Sequence, residues 1–365
     1  MSRIEVQNTL GRALLEAAAH MPDPMAAAGA EAFERELTSY FGVPHAVAVA
    51  SGTAALHTAL TAAEIGDGDE VLVPALTVVM SVAPILAAGA RPIFVDSDPD
   101  TLDLDYADAA AKVSERTRAV MPVHLWGRMG DPAALRAFAT RHNLTIVEDA
   151  AQAVGTERGG ERAGCVGDIG CFSTKDGKIL WSGEGGFLLT ANDKLAAVAR
   201  AYRTHWQTPP PGSVPLARIG ANYRLAEPLA AIAAYNASRL PDLLAHRRAQ
   251  TEQLVDSLTK VPGLSVYQPA PDEAWNSYAP LARVELPNPR GFAEHLAAHG
   301  VPNSTGTYRL VACDARPMFA GPPTCPNAAR VIDTVLALVL TDHDTPERLA
   351  AMVETIQKEA AVWRG

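Results

Sequence analysis

At 365 residues the chain is long enough for two domains or one large α/β unit. Its 48% hydrophobic and 20% charged content is ordinary for a globular protein with a substantial core. A net charge of −10 argues against nucleic acid or an anionic membrane as a main partner, because both attract basic surfaces. It leaves open an anionic small substrate held in a local basic pocket.

The start, Met1-Ser-Arg-Ile-Glu-Val-Gln-Asn, is polar and has no apolar signal core. From about Val47 to Thr190, short apolar runs alternate with helical patterns. Ala46–Ala50, Glu70–Val73, Pro92–Val95, Ala119–Val123 and Leu144–Val147 have the composition of buried strands. Helices are predicted over Ala54–Glu64, Ser81–Ala88, Tyr106–Ser114 and Pro132–His142. This alternation implies βαβ units and a mainly parallel sheet. Ligands of such sheets gather outside the C-terminal strand ends, where Ser51, Pro74, Asp96, His124 and Asp149 fall.

The Pro-rich segment Thr208–Pro215 is predicted to be an exposed loop. A helical stretch from Ala226 to about Leu258 is interrupted near Pro241, and strands near Gly263–Tyr267 and Ala279–Glu285 precede helices over Pro289–His299 and Pro346–Trp363. The expected division is a large domain over residues 1–240 and a smaller C-terminal α+β domain over 241–365. No apolar run approaches the roughly 18 residues of a spanning helix. Cys165, Cys171, Cys313 and Cys325 match no zinc spacing and are too scattered for a disulfide framework, so a cytoplasmic protein with reduced thiols is expected.

Three segments carry chemistry. Lys178 lies between glycines, five residues after Ser173 and just before Gly183-Glu-Gly-Gly186. Asp149 ends a predicted buried strand and is followed by Ala150-Ala151-Gln152-Ala153, small residues with room for a flat ring. An amine able to form a Schiff base and an acid to pair with a pyridinium nitrogen are what pyridoxal phosphate requires. Ser51-Gly52-Thr53 opens a helix, where unpaired N–H groups and the dipole favour a phosphate.

Each segment also has a plainer explanation. Ser51 or Thr53 is equally a helix cap. Asp149 could cap the next turn or share a metal with Glu148. A solvated loop lysine is the ordinary expectation for Lys178, and Lys175 is its rival. Asn222-Tyr223-Arg224 suits phosphate or carboxylate binding, or a cap beside a surface arginine. His124 is expected to be structural and His57 to serve packing.

Taken together, the chain resembles the DegT/StrS-type sugar aminotransferases, fold-type I pyridoxal phosphate enzymes. The likeness runs through Val47–Leu56, Gly66–Pro74, Val123–Gly127, Glu148–Gln152, Gly167–Gly186 and Gly220–Arg224. It implies that Lys178 is the Schiff-base lysine and Asp149 the pyridinium partner. It further implies that Gln152 holds the cofactor near its ring hydroxyl and that Gly52, Thr53 and Ser173 bind phosphate. Asn222 is expected to reach the phosphate from the neighbouring subunit of a homodimer, and Arg224 to bind substrate. The family places an aromatic residue on the cofactor ring where this chain has Val78. The Asp176-Gly-Lys178 context, followed by Gly183-Glu-Gly-Gly186, and the later Thr307-Tyr308-Arg-Leu and Arg316-Pro-Met-Phe319 resemble the branch acting on cyclitols, aminobenzoate precursors and aminoglycoside intermediates, with Tyr308 at the substrate.

The function implied is transfer of an amino group from glutamate or glutamine, through the pyridoxamine form of the cofactor, to a keto group on a sugar nucleotide or cyclitol. Such chemistry belongs to antibiotic or aminosugar biosynthesis. The rivals are a pyridoxamine-dependent sugar dehydratase, which has histidine at the lysine position, another lyase or a racemase of the same fold, and a non-catalytic regulatory binding protein.

Overall fold

The computed structural model describes residues 10–17, 28–319 and 321–365. The polar start at Met1–Asn8 lies outside them. The first helices are α1, over residues 10–17, and α2, Ala28–Phe41. The chain then builds β1 His45–Val49, α3 Gly52–Ala62, β2 Glu70–Pro74, α4 Val79–Ala87, β3 Arg91–Val95, α5 Tyr106–Lys112, β4 Thr117–Val120, α6 Pro132–His142 and β5 Thr145–Asp149. A hairpin of two-residue strands, β6 Glu157–Arg158 and β7 Glu161–Arg162, precedes β8 Ile169–Ser173 and β9 Gly186–Thr190.

The central sheet has seven strands in the order β1-β9-β8-β5-β4-β2-β3. The pairs from β8 through β5, β4 and β2 to β3 are parallel, whereas β9 runs antiparallel to both of its neighbours. Strand residues alternate between two cores. Ala46, Ala48, Phe172 and Phe187 face α2, α6 and a later helix, α8 (Glu227–Ala237). Val47, Val49, Cys171 and Leu188 face α3 and α4.

Local chemistry explains the helix ends that the sequence announces. Asp131 accepts from the N–H groups of Ala133 and Ala134, Pro132 occupies the first turn, and Asn143 stops α6 in the left-handed conformation. The strand expected to run to Val123 pairs regularly only to Val120. Beyond it, Met121 N–H still donates to Leu72 O, and Val123 bridges to Asp149.

After α7 Asp193–Tyr202 comes a loop that is mostly exposed over residues 211–219, then α8 Glu227–Ala237 and α9 Leu240–Leu258. Pro241 sits in the first turn of α9 rather than within a kinked helix, because a missing N–H costs nothing there. The remaining chain forms β10 Leu264–Val266, β11 Glu273–Ala274, β12 Leu281–Val284, α10 Pro289–Ala298, α11 Pro326–Thr334, β13 Val335–Ala337 and α12 Pro346–Val362. Strands β10, β12 and β13 make a second sheet whose core includes Leu254, Phe292 and Ile356. Helix α9 serves both units: Leu240 and Leu243 pack into the large core, Leu254 and Leu258 into the small one. Between the units, Leu76, Leu125 and Trp126 pack against Ala279, Leu281 and Leu310.

Candidate active site

A cavity of about 520 Å³ opens at the C-terminal ends of the parallel strands, against the C-terminal unit. Ser51, Gly52, Thr53, Val78, Asp149, Gln152, Ser173, Lys178 and Tyr308 all line it. Segments far apart in the sequence therefore converge on one space.

Ser51 is the N-cap of α3, its Oγ accepting from Ala54 N–H at 3.0 Å. The capping role and an anion site are compatible, since the first N–H groups of a helix have no intrahelical partner. The glycine at 52 is dictated by packing: a Cβ there would lie 2.8 Å from the Cβ of Ser173. That close approach brings the end of β8 against the first turn of α3, which sets Ser173 beside Ser51–Thr53. Gly186 works similarly, since a Cβ would come within 2.5 Å of the Ser51 carbonyl carbon.

Asp149 is 5% exposed. Its Oδ2 accepts from Ser81 Oγ at 2.7 Å and its Oδ1 from Ala151 N–H at 3.1 Å. Ser81 Oγ is in turn 2.8 Å from Thr77 Oγ1. The carboxylate is thus fixed by two donors, and no cation lies within ion-pair distance among the described residues. The adjacent Glu148 is fully buried and differently used. It accepts from Gly164, Val166 and Gly167 N–H and lies 2.9 Å from His124 Nε2. No group of three or more acids, histidines and cysteines able to hold a metal occurs among the described residues, and both Glu148 oxygens are already engaged by backbone N–H groups and His124. His124 touches the cavity wall while its Nε2 is engaged by Glu148. Burial, reinforced by Asp149 and Glu148, pushes the Cys171 thiol well above its ordinary range, which keeps it protonated and inert.

Gln152 Oε1 accepts from Trp126 N–H at 2.7 Å, leaving the amide NH2 to donate. Lys178 is half-buried, with Nζ 5.2 Å from the centre of the Tyr278 ring. Lys175 also lines the cavity, because a tight turn, Lys178 N–H to Lys175 O at 3.1 Å, puts both lysines on one rim. Lys175 is exposed.

Asn222 and Arg224 are the expected residues that do not line the cavity. Both are exposed, while Tyr223 between them is anchored. Its carbonyl accepts from Ala50 N–H at 2.8 Å, and its hydroxyl is 2.9 Å from His57 Nδ1. His57 therefore does more than pack, as it ties α3 to this segment.

Sequence reasoning missed Ser81, Trp126, Tyr278 and Arg316, all on the cavity wall. Ser81 stood at the start of a predicted helix and had a spacing signal, four residues after Thr77. Trp126 carries an unusual backbone, φ 58°, of the sort that clusters at functional sites. Tyr278 and Arg316 arrive from the C-terminal unit; Tyr278 had no local signal, whereas Arg316 opens the Arg316–Phe319 stretch of the branch resemblance, which gave it no role of its own.

The DegT/DnrJ/EryC1/StrS aminotransferase family model matches residues 25–357. The chain is 43% identical over 216 residues to GDP-perosamine synthase of Caulobacter vibrioides, covering 59% of this chain and 58% of that protein. It is 38% identical over 289 residues to L-glutamine:2-deoxy-scyllo-inosose aminotransferase of Streptoalloteichus tenebrarius, covering 77% and 66%. The match thus spans less than two thirds of either relative's length. Among solved structures, DesV of S. venezuelae in complex with a ketimine intermediate superposes with a TM-score of 0.84. Its identity is 30%, over 98% of this chain and 95% of that one.

Proposed function

The chain belongs to the DegT/DnrJ/EryC1/StrS aminotransferase family, and from that premise we propose that it is a pyridoxal phosphate-dependent aminotransferase. In this reading it moves an amino group from glutamate or glutamine to a keto group on a nucleotide sugar or a cyclitol. The observation that carries the reading is the convergence of Lys178, Asp149 and the Ser51–Thr53 helix start on one cavity. The names of the relatives, a perosamine synthase and an inosose aminotransferase, support an amino-sugar or aminocyclitol product of the kind found in antibiotics.

The residues fit the cofactor. An exposed helix start beside Ser173 suits its phosphate. A buried carboxylate with two donors and no cation of its own suits a pyridinium nitrogen. When bound, pyridoxal phosphate supplies an electron sink for charge developing at the carbon that loses or gains a proton. Asp149 would hold the proton on the ring nitrogen, Gln152 has its amide free to donate to the ring hydroxyl, and Val78 would offer the ring an apolar wall in place of an aromatic residue. Lys178 Nζ takes the α-proton of the donor amino acid and delivers a proton in the acceptor half-reaction. The Tyr278 ring, 5.2 Å from Nζ, helps to hold the Lys178 side chain at the cavity.

A homodimer with active sites shared between subunits completes the reading. Exposed Asn222 and Arg224 follow an exposed apolar loop, with Leu216 70% and Ile219 95% exposed. A second subunit would cover that loop and receive Asn222 at its phosphate site. We place the protein in the cytoplasm. Among the described residues, no helix is long and apolar enough to cross a membrane.

The test is the visible absorbance of the protein with pyridoxal phosphate, wild type beside Lys178→Ala, before and after glutamine or glutamate. Wild type is expected to show a cofactor band that the donor bleaches, and the variant to show neither the band nor the response. A cofactor band indifferent to every amino donor overturns the aminotransferase reading in favour of a lyase or a regulatory protein.

A further inference from the structure

A guanidinium carries five N–H donors and is always charged, so a buried one needs acceptors. Elsewhere in this molecule they are supplied: Arg247 pairs with Asp342 at 2.9 Å and Arg128 with Glu273 at 3.0 Å. Arg316 differs. It lies on the cavity wall, and its Nε is the one buried side-chain nitrogen among the described residues with no hydrogen-bond partner. No carboxylate of the described residues lies within ion-pair distance of it.

The backbone holds Arg316 in place. The short turn Cys313–Ala315 is pinned to the strand end that leads to Val78: Cys313 N–H donates to Ala75 O at 2.9 Å, and Cys313 Sγ lies 3.3 Å from Thr77 O. Arg316 N–H closes the turn on Cys313 O at 3.2 Å. The neighbouring Asp314 does not neutralise it. One of its carboxylate oxygens accepts from Thr324 and Cys325 N–H, and the other is buried without a partner. The guanidinium also lies against the Cys313 thiol, which cannot neutralise it, so a cation donor with no carboxylate partner among the described residues faces a cavity that also holds the candidate lysine.

We propose that Arg316 is the receptor for a substrate oxyanion in this cavity, gripping it with the planar fork that matches carboxylate and phosphate oxygens. The inference rests on the aminotransferase reading and extends it. The anion is either the carboxylate of the amino donor or the diphosphate of a nucleotide-sugar acceptor. Binding it satisfies the stranded Nε and fixes the substrate relative to Lys178.

The test is calorimetric binding of two probes, 2-oxoglutarate and UDP, to wild-type holoenzyme and to the Arg316→Gln and Arg316→Lys variants. Arg316→Gln is expected to weaken at least one probe by about tenfold or more, the loss of charge-assisted hydrogen bonds. Arg316→Lys, keeping charge but losing the fork, should fall between. Selective loss of 2-oxoglutarate assigns the donor carboxylate, and selective loss of UDP assigns the diphosphate. The proposal is overturned if wild type binds neither probe, or if a normally melting Arg316→Gln or Arg316→Lys variant binds both within about twofold of wild type. Failure of the aminotransferase reading would show separately, as a wild-type cofactor band that ignores amino donors while probe binding persists.

Discussion

Ser81 Oγ donates to Asp149 Oδ2 at 2.7 Å, and this bond joins the first turn of α4 to the end of β5 across 68 residues of sequence. It fixes the direction of the carboxylate assigned to the cofactor ring. Removing it leaves Asp149 with the single donor of Ala151. Ser81→Ala is therefore expected to weaken pyridoxal phosphate about tenfold, the worth of one hydrogen bond to a charged group. A fluorescence or absorbance titration of the apoprotein measures it. An unchanged dissociation constant would mean that Asp149 does not act on the cofactor.

Gly52→Ala tests the cradle from the other side. The new Cβ would sit 2.8 Å from the Cβ of Ser173, and neither the helix start nor the strand end can yield easily. The expected cost is about 1–3 kcal/mol of stability, as for other overpacked sites. Urea unfolding measures that loss, and phosphate affinity should drop with it because Ser173 is displaced. Full stability in the variant would show that β8 and α3 are not tightly docked.

Much of the fold was legible because buried strands and capped helices leave local signals. The α6 bounds follow from Asp131, Pro132 and Asn143, each acting on its own neighbours. The antiparallel placement of β9 left no such mark, since a strand buried on both faces shows no alternation to reveal its direction. Of the strand-end residues, Ser51, His124 and Asp149 were legible as candidates because such sheets collect ligands at those ends, and with the loop lysine they line one cavity. Tyr278 was not, because it reaches the cavity only when the C-terminal unit docks on the sheet. Asn222 and Arg224 were read as site residues, but within one chain they remain outside the cavity.

His57 makes stability depend on pH. Burial holds its imidazole pKa below the ordinary 6.5, so the folded chain favours the neutral ring. Between that lowered value and 6.5 the unfolded chain binds more protons. Its contribution is therefore fully present above about pH 6.5 and is lost as pH falls below it. Urea midpoints at pH 7.5 and 5.5 should accordingly differ less in His57→Gln than in wild type. An identical difference in both proteins would remove His57 as the source. Because His57 Nδ1 meets Tyr223 OH, the variant should also loosen the segment carrying Asn222 and Arg224.

The proposed sharing of sites between subunits makes a prediction that no single-chain mechanism makes. Lys178 lines the cavity of its own chain, whereas Asn222 is exposed and outside that cavity. If Asn222 acts on the other subunit, Lys178→Ala and Asn222→Ala homodimers should each be inactive or severely impaired. Co-expressing them in equal amounts gives hybrids in which one site has Lys178 from one chain and Asn222 from the other. The second site in each hybrid carries both defects. Random pairing makes about half the dimers hybrid, so about a quarter of wild-type activity should return, as a two-fold dimer requires. If Asn222 served its own chain, both hybrid sites would carry one defect each and no activity would return. In the hybrid purified with two different affinity tags, where one site of two is intact, transamination should reach about half that of wild type, and its absence gives the opposite outcome.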